Sequence, residues 1–130
     1  MPMIAKANIT GWKWRFTNSR IFHLPFTHEG EPLTIESHSG KTLVTLSGSE
    51  LLIERHYHFD GATYAPDFKR VLPSAAVHDA LLQLCEKYPL QLTADQAHES
   101  FKWQMDLDGF KLSRIYFFGV TFWFKLKSLL

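Results

Sequence analysis

Apolar and polar residues alternate along the first half of the chain and recur every three or four positions along the second. The change of period separates strands from helices. Trp12, Trp14 and Phe16 alternate with Lys13 and Arg15, which predicts a strand with one aromatic and one basic face. Ile21 to Phe26, Leu33 to Glu36 and Lys41 to Leu46 read as short strands, with turns over 37–40 and 47–50. Leu51 to Phe59 is the longest strand candidate. Leu51, Ile53, Tyr57 and Phe59 share one face, Glu54, His56 and His58 the other, and Arg55 interrupts the apolar side. Asp60-Gly61 stops this strand, and the segments together predict an antiparallel β meander.

An irregular stretch bracketed by Pro66 and Pro73, containing Asp67, Lys69 and Arg70, reads as the crossing into a helical half. Pro73 or Ser74 opens a helix running to Lys87, before Tyr88-Pro89 ends it. Val77, Leu81, Leu84 and Tyr88 form its apolar stripe. Thr93 and Gln96 form a capping box that starts a second helix. Ala94, Ala97, Phe101 and Met105 give that helix a core face, and Asp108-Gly109 ends it. Phe110 to Leu130 reads as a third helix. The expected fold is therefore α+β in a single domain over 1–130, mainly β over 1–60 and mainly helical over 74–130.

The last segment holds ten uncharged residues, Ile115 to Phe124, flanked by Arg114, Lys125 and Lys127. A spanning helix needs about 20 apolar residues, so no transmembrane span is expected. Aromatics with flanking lysines suit a membrane interface. A helix apolar on all sides is more often enclosed by protein, so burial or oligomer formation is the favoured expectation. On that view Phe117, Phe118, Phe122, Trp123 and Phe124 belong to the core, and removing 116–130 abolishes folding or solubility.

Composition changes this picture in two ways. With 14 basic against 13 acidic residues the chain has a formal charge of +1, which gives no overall pull toward nucleic acid. The aromatic strand 12–16 is accordingly read as a sheet face and not as a base-stacking platform. Cys85 is the only cysteine, which excludes an intrachain disulfide and a cysteine-rich zinc site. Its place on an apolar helix face marks an inert thiol. Residues 1–10 lack the basic and long apolar regions of an export signal, and the expected location is a bacterial host cytoplasm or a virion.

The candidate chemistry gathers Asp60, His78, Asp79 and Asp95. Neighbouring helical residues point about 100° apart, so His78 and Asp79 are not expected to form a dyad with each other, although both can border one cleft. A lone histidine on an apolar stripe is usually a hydrogen-bonded core residue. An aspartate beside such a stripe is costly unless exposed, paired or metal-bound. Asp95 in a first helical turn is favoured by the macrodipole alone, while His98, one turn on, can complete a pair with it. If the strand end Asp60, the helical His78-Asp79 and the helix start Asp95 meet, they supply nitrogen and oxygen ligands for a divalent ion such as zinc, manganese or magnesium, with His58 or His98 as further ligands.

The run His58-Phe59-Asp60-Gly61-Ala62-Thr63, Pro66, the run from Ala75 to Leu81, Ala94-Asp95 and Phe101 together resemble the domain-of-unknown-function family 1353. That family comprises small bacterial proteins, often encoded by phages or prophages. The resemblance spans roughly Tyr57 to Gly119 and sets Asp60, His78, Asp79 and Asp95 on the family's polar positions. Thr63 stands where serine is frequent, and Gln83 replaces a frequent tyrosine. The resemblance implies no particular activity. Two functions remain open: a phage-associated, metal-dependent hydrolase with His78 and Asp79 as catalytic groups, or a non-catalytic virion or host-interaction protein in which these residues form a structural polar network. The aromatic C-terminal segment is the expected contact for a second copy or a phage protein.

Overall fold

Every pairing among the described strands of the alternating half is antiparallel. In the computed structural model, which describes residues 4–6, 14–59, 71–110 and 113–129, β1 (Ile4–Lys6), β2 (Trp14–Phe16) and β5 (His58–Phe59) form one sheet in the order β1-β2-β5. Between β2 and β5 in sequence, β3 (Arg20–Glu36) and β4 (Thr42–Ile53) form a long hairpin. Three helices follow, α1 (Leu72–Lys87), α2 (Ala94–Leu107) and α3 (Ser113–Ser128), so the fold is α+β with its strands before its helices. Trp12, Lys13 and the predicted crossing with Asp67, Lys69 and Arg70 lie outside the described residues.

The strand limits differ from the sequence pattern where glycine permits a bulge. The two segments predicted over 21–26 and 33–36 are one strand, β3, kinked by register shifts on either side of His28, which pairs with Gly48. Gly48, at φ 60°, supplies the left-handed backbone of a bulge, so 47–50 continues β4 instead of turning the chain. The turn at 37–40 forms as predicted, with Gly40 N–H donating to Ser37 O at 2.9 Å. The expected strand 51–59 divides. β4 ends at Ile53, the chain turns through Arg55 and His56 (φ 77°), and β5 resumes at His58. Arg55, which broke the apolar pattern, lies exposed on this turn, while Leu51, Ile53, Tyr57 and Phe59 are all buried.

Those side chains meet around Phe16, whose ring packs edge-on against Phe22 and Tyr57 and tilted against Phe59 at 5.8 Å. The aromatic face of β2 thus belongs to the core. Helix α1 packs against β3, β4 and β5 and is buried on most of its circumference, where Ala75, Ala76 and Ala80 let neighbours approach closely. Pro73 fits the first turn of α1, where its missing N–H leaves no intrahelical bond unmade. At its far end the Tyr88 hydroxyl donates to Thr34 O at 3.3 Å and Lys87 Nζ donates to the same carbonyl at 2.7 Å, joining helix to hairpin.

Helix α2 follows its local signals closely. Thr93 Oγ1 accepts from Gln96 N–H and the Gln96 side chain accepts from Thr93 N–H, the reciprocal box the sequence predicts. At the other end Gly109 (φ 74°) donates to Asp106 O and Phe110 N–H reaches back to Met105 O at 2.9 Å, a Schellman closure. The Ser113 hydroxyl then donates to Asp106, fixing the start of α3 against the end of α2.

Helix α3 overturns the expected burial. Ser113, Tyr116 and Val120 are its buried residues, Phe117 is half-buried, and Phe118, Phe122, Trp123 and Phe124 are exposed. One face, on α2, is enough to hold the helix. Tyr116→Ala is expected to cost about 3 kcal/mol or more, by analogy with other large-to-small core substitutions. Phe122→Ser is expected to stay within about 0.5 kcal/mol of the parent, as exposed substitutions do. Urea unfolding of both variants checks this, and equal destabilisation would show that the outer aromatics also belong to the core.

Candidate functional site

His78 and His98 enter the interior from α1 and α2. On α1, His78 is one position beyond Val77 and stands beside the apolar stripe. On α2, His98 falls at the Ala94, His98, Phe101, Met105 spacing that follows the core side of the helix. The two rings meet with His78 Nε2 3.0 Å from His98 Nδ1, so one ring donates its N–H to the other. Both residues are under 10% exposed, at 9% and 3%. The His78 ring stacks on Phe101 at 5.1 Å, and His98 meets the edge of Phe124 from α3 at 5.0 Å. All three helices therefore converge on the pair.

Burial sets the protonation of both rings. Desolvation, reinforced by the neighbouring His98, lowers the His78 pKa to about 3. Desolvation lowers that of His98 as well, opposed by the Asp95 carboxylate. At neutral pH two neutral imidazoles therefore face each other. Each can satisfy the other without a buried charge.

The predicted site residues separate into three groups. His78, Asp79 and His98 come together: Asp79 Oδ1 lies 3.9 Å from His78 Nδ1, beyond hydrogen-bond reach but close enough to attract a protonated ring. Asp95 is exposed in the first turn of α2 and acts on His98 through its charge alone, so the expected Asp95–His98 pair is replaced by His78–His98. His58 lies elsewhere, lining a surface cavity with His38, His56 and Gln83. Asp60 is outside the described residues. Among the described residues no group of three His, Cys, Asp or Glu side chains is placed to hold a metal ion. Those residues alone do not make up the divalent site expected from the pattern.

Two features of the site escaped the sequence reading, the direct partnership of the histidines and the part played by Phe124. The first left a signal, because a histidine at the 94-98-101-105 spacing of α2 must find an internal partner. His98 also borders an open groove between α2 and α3, together with Asp95, Glu99, Phe117, Phe118 and Phe122. Cys85 lies apart. Its thiol donates to Leu92 O at 3.2 Å, and burial, with Glu86 nearby, raises its pKa, so the thiolate is disfavoured.

No family model, curated protein or solved structure matches this chain.

The histidine pair makes stability depend on pH. A histidine in the unfolded chain titrates near about pH 6.5, whereas folded His78 stays neutral down to about 3. Between those values the unfolded chain binds more protons. Stability that is full above about pH 6.5 is therefore lost as the pH falls toward 3. For His78 alone the loss between about pH 7 and pH 5 is about 2 kcal/mol. Denaturant midpoints measured across this range should fall with pH, and His78→Phe should flatten the slope. A parent profile already flat would mean that the pair is not neutral and buried.

Proposed function

We propose that the protein is a non-catalytic interaction protein, a virion component or host-interaction factor, in which the histidine pair is a structural link among the helices. One observation carries this reading: His78 Nε2 is engaged by His98 Nδ1 at 3.0 Å, with the buried His78 ring stacked on Phe101. A general base must reach a substrate proton, directly or through one water. A ring held neutral by burial, with a partner on Nε2, is suited to specifying how helices pack. The resemblance over Tyr57 to Gly119 adds the phage or prophage context.

A metal-dependent hydrolase is the second reading, favoured by the approach of Asp79 to within 3.9 Å of His78. In it Asp60, Asp79 and Asp95 are oxygen ligands and His78 is a ligand or base. Metal analysis of the purified native protein separates the two. The interaction reading expects far less than one equivalent of transition metal and the same content in a folded Asp79→Asn variant. One equivalent in the parent, lost in Asp79→Asn, would overturn it in favour of the hydrolase.

A further inference from the structure

Helix α3 carries an exposed apolar stripe opposite its buried residues, with Phe118 and Phe122 at the edge of the groove it shares with α2. Ile115, Phe118, Phe122, Leu126 and Leu129 follow one another at spacings of three, four, four and three. At about 100° per residue the four within α3, Ile115 to Leu126, fall along one line opposite the buried Ser113, Tyr116 and Val120, and Leu129 stands in the turn that follows. Each is between 39 and 82% exposed, and Trp123 stands exposed on the shoulder of the stripe. An apolar row of this length on one helix exceeds the scattered exposed residues of an ordinary surface.

The charges beside the stripe indicate what covers it. From Gly109 to Leu130 there is no acidic residue, while Lys111, Arg114, Lys125 and Lys127 are basic. The whole chain is at only +1, so residues 1–108 are net acidic and the segment 109–130 is net basic, with Asp95 and Glu99 of α2 across the groove that Phe118, Phe122 and Lys125 line. At the same helical angle Arg114 and Lys125 lie along one flank of the stripe. Pairing α3 with the α3 of a second copy, parallel or antiparallel, would bury the stripe against a helix that carries no acidic residue, leaving Asp95 and Glu99 at the edge of the groove as its counter-charges. An anionic lipid surface supplies both an apolar layer and negative headgroups. No described helix is long and apolar enough to cross a membrane. The 16 residues of α3 can instead lie flat, with their inner side covered by protein where a free amphipathic helix would face water.

We propose that α3 is a membrane-surface helix that docks the protein on anionic lipid through Ile115, Phe118, Phe122, Leu126 and Leu129, with Arg114 and Lys125 at the headgroups. This rests on the interaction reading above and names its partner. The test is co-sedimentation of the full-length protein with vesicles of phosphatidylcholine alone or mixed with phosphatidylglycerol, combined with sedimentation velocity of the free protein. Binding is expected to the mixed vesicles, to weaken with salt, and to fall by more than about tenfold in Phe122→Glu, a substitution that removes a buriable aromatic and adds a repelled charge. Lys125→Gln is expected to lower binding to anionic vesicles by about fivefold. Circular dichroism of both variants should match the parent, since both side chains point to solvent. A folded parent that ignores anionic vesicles overturns the proposal. If that parent also forms a dimer broken by Phe122→Glu, a second copy is the occupant and the interaction reading stands without the lipid. One equivalent of metal, lost in Asp79→Asn, would instead remove the interaction reading itself.

Discussion

The hydrogen bond between His78 and His98 exists only while no more than one of the rings is protonated, and burial keeps both neutral. Every element around the pair serves that condition. Phe101 covers the face of His78 and Phe124 packs against His98, so these aromatic rings hold three helices in contact around the pair. Either histidine alone at this depth would leave a ring nitrogen without a partner. Together they satisfy one another, at the cost of tying the register of α1 to that of α2.

That register passes to the β half through α1. Its alanines bring it close to its neighbours, and its C-terminal Lys87 and Tyr88 hold Thr34 of the hairpin. The same hydroxyl and ammonium explain three shifts at the junction. The Thr34 N–H and Lys87 lower the Tyr88 pKa, Tyr88 and Glu36 raise that of Lys87, and Thr34 with Lys87 lowers that of Glu36. A helix buried on most sides can thus remain anchored at a wet end. The charged contacts lie at the rim, while the buried polar groups among the helices are neutral, the histidine pair together with Ser74, Ser100 and Gln104.

What the sequence made legible was local, and what it hid was tertiary. The capping box at Thr93 and Gln96 and the glycine closure at Gly109 involve residues within one or two turns, so both ends of α2 could be placed from the pattern. The continuity of β3 and β4 could not. Ser47-Gly48-Ser49 has the composition of a turn, and only the pairing of His28 with Gly48 makes it a bulge. The site shows the same division. Each histidine could be marked as an apolar-side residue, but their separation of 20 positions left the partnership invisible until α1 packed on α2. Asp95 was equally well explained by the helix dipole, and its exposed position agrees with that simpler account.

Helix α3 misled for a physical reason that bears on what the protein does. An apolar sequence on all sides of a helix signals an apolar environment on all sides, but the sequence does not say whether one chain supplies it. Here α2 covers the side of Tyr116 and Val120, and Phe124 is drawn toward His98. Those contacts fix the rotation of the helix, and with it the direction of every other side chain. Given that rotation, the row from Ile115 to Leu129 must point outward, since at 3.6 residues per turn no other face remains for it. Display of the stripe is therefore a consequence of turning Tyr116 and Val120 onto α2 and Phe124 toward His98, and the helix packing that engages His78 with His98 is the one that aims α3 at a partner.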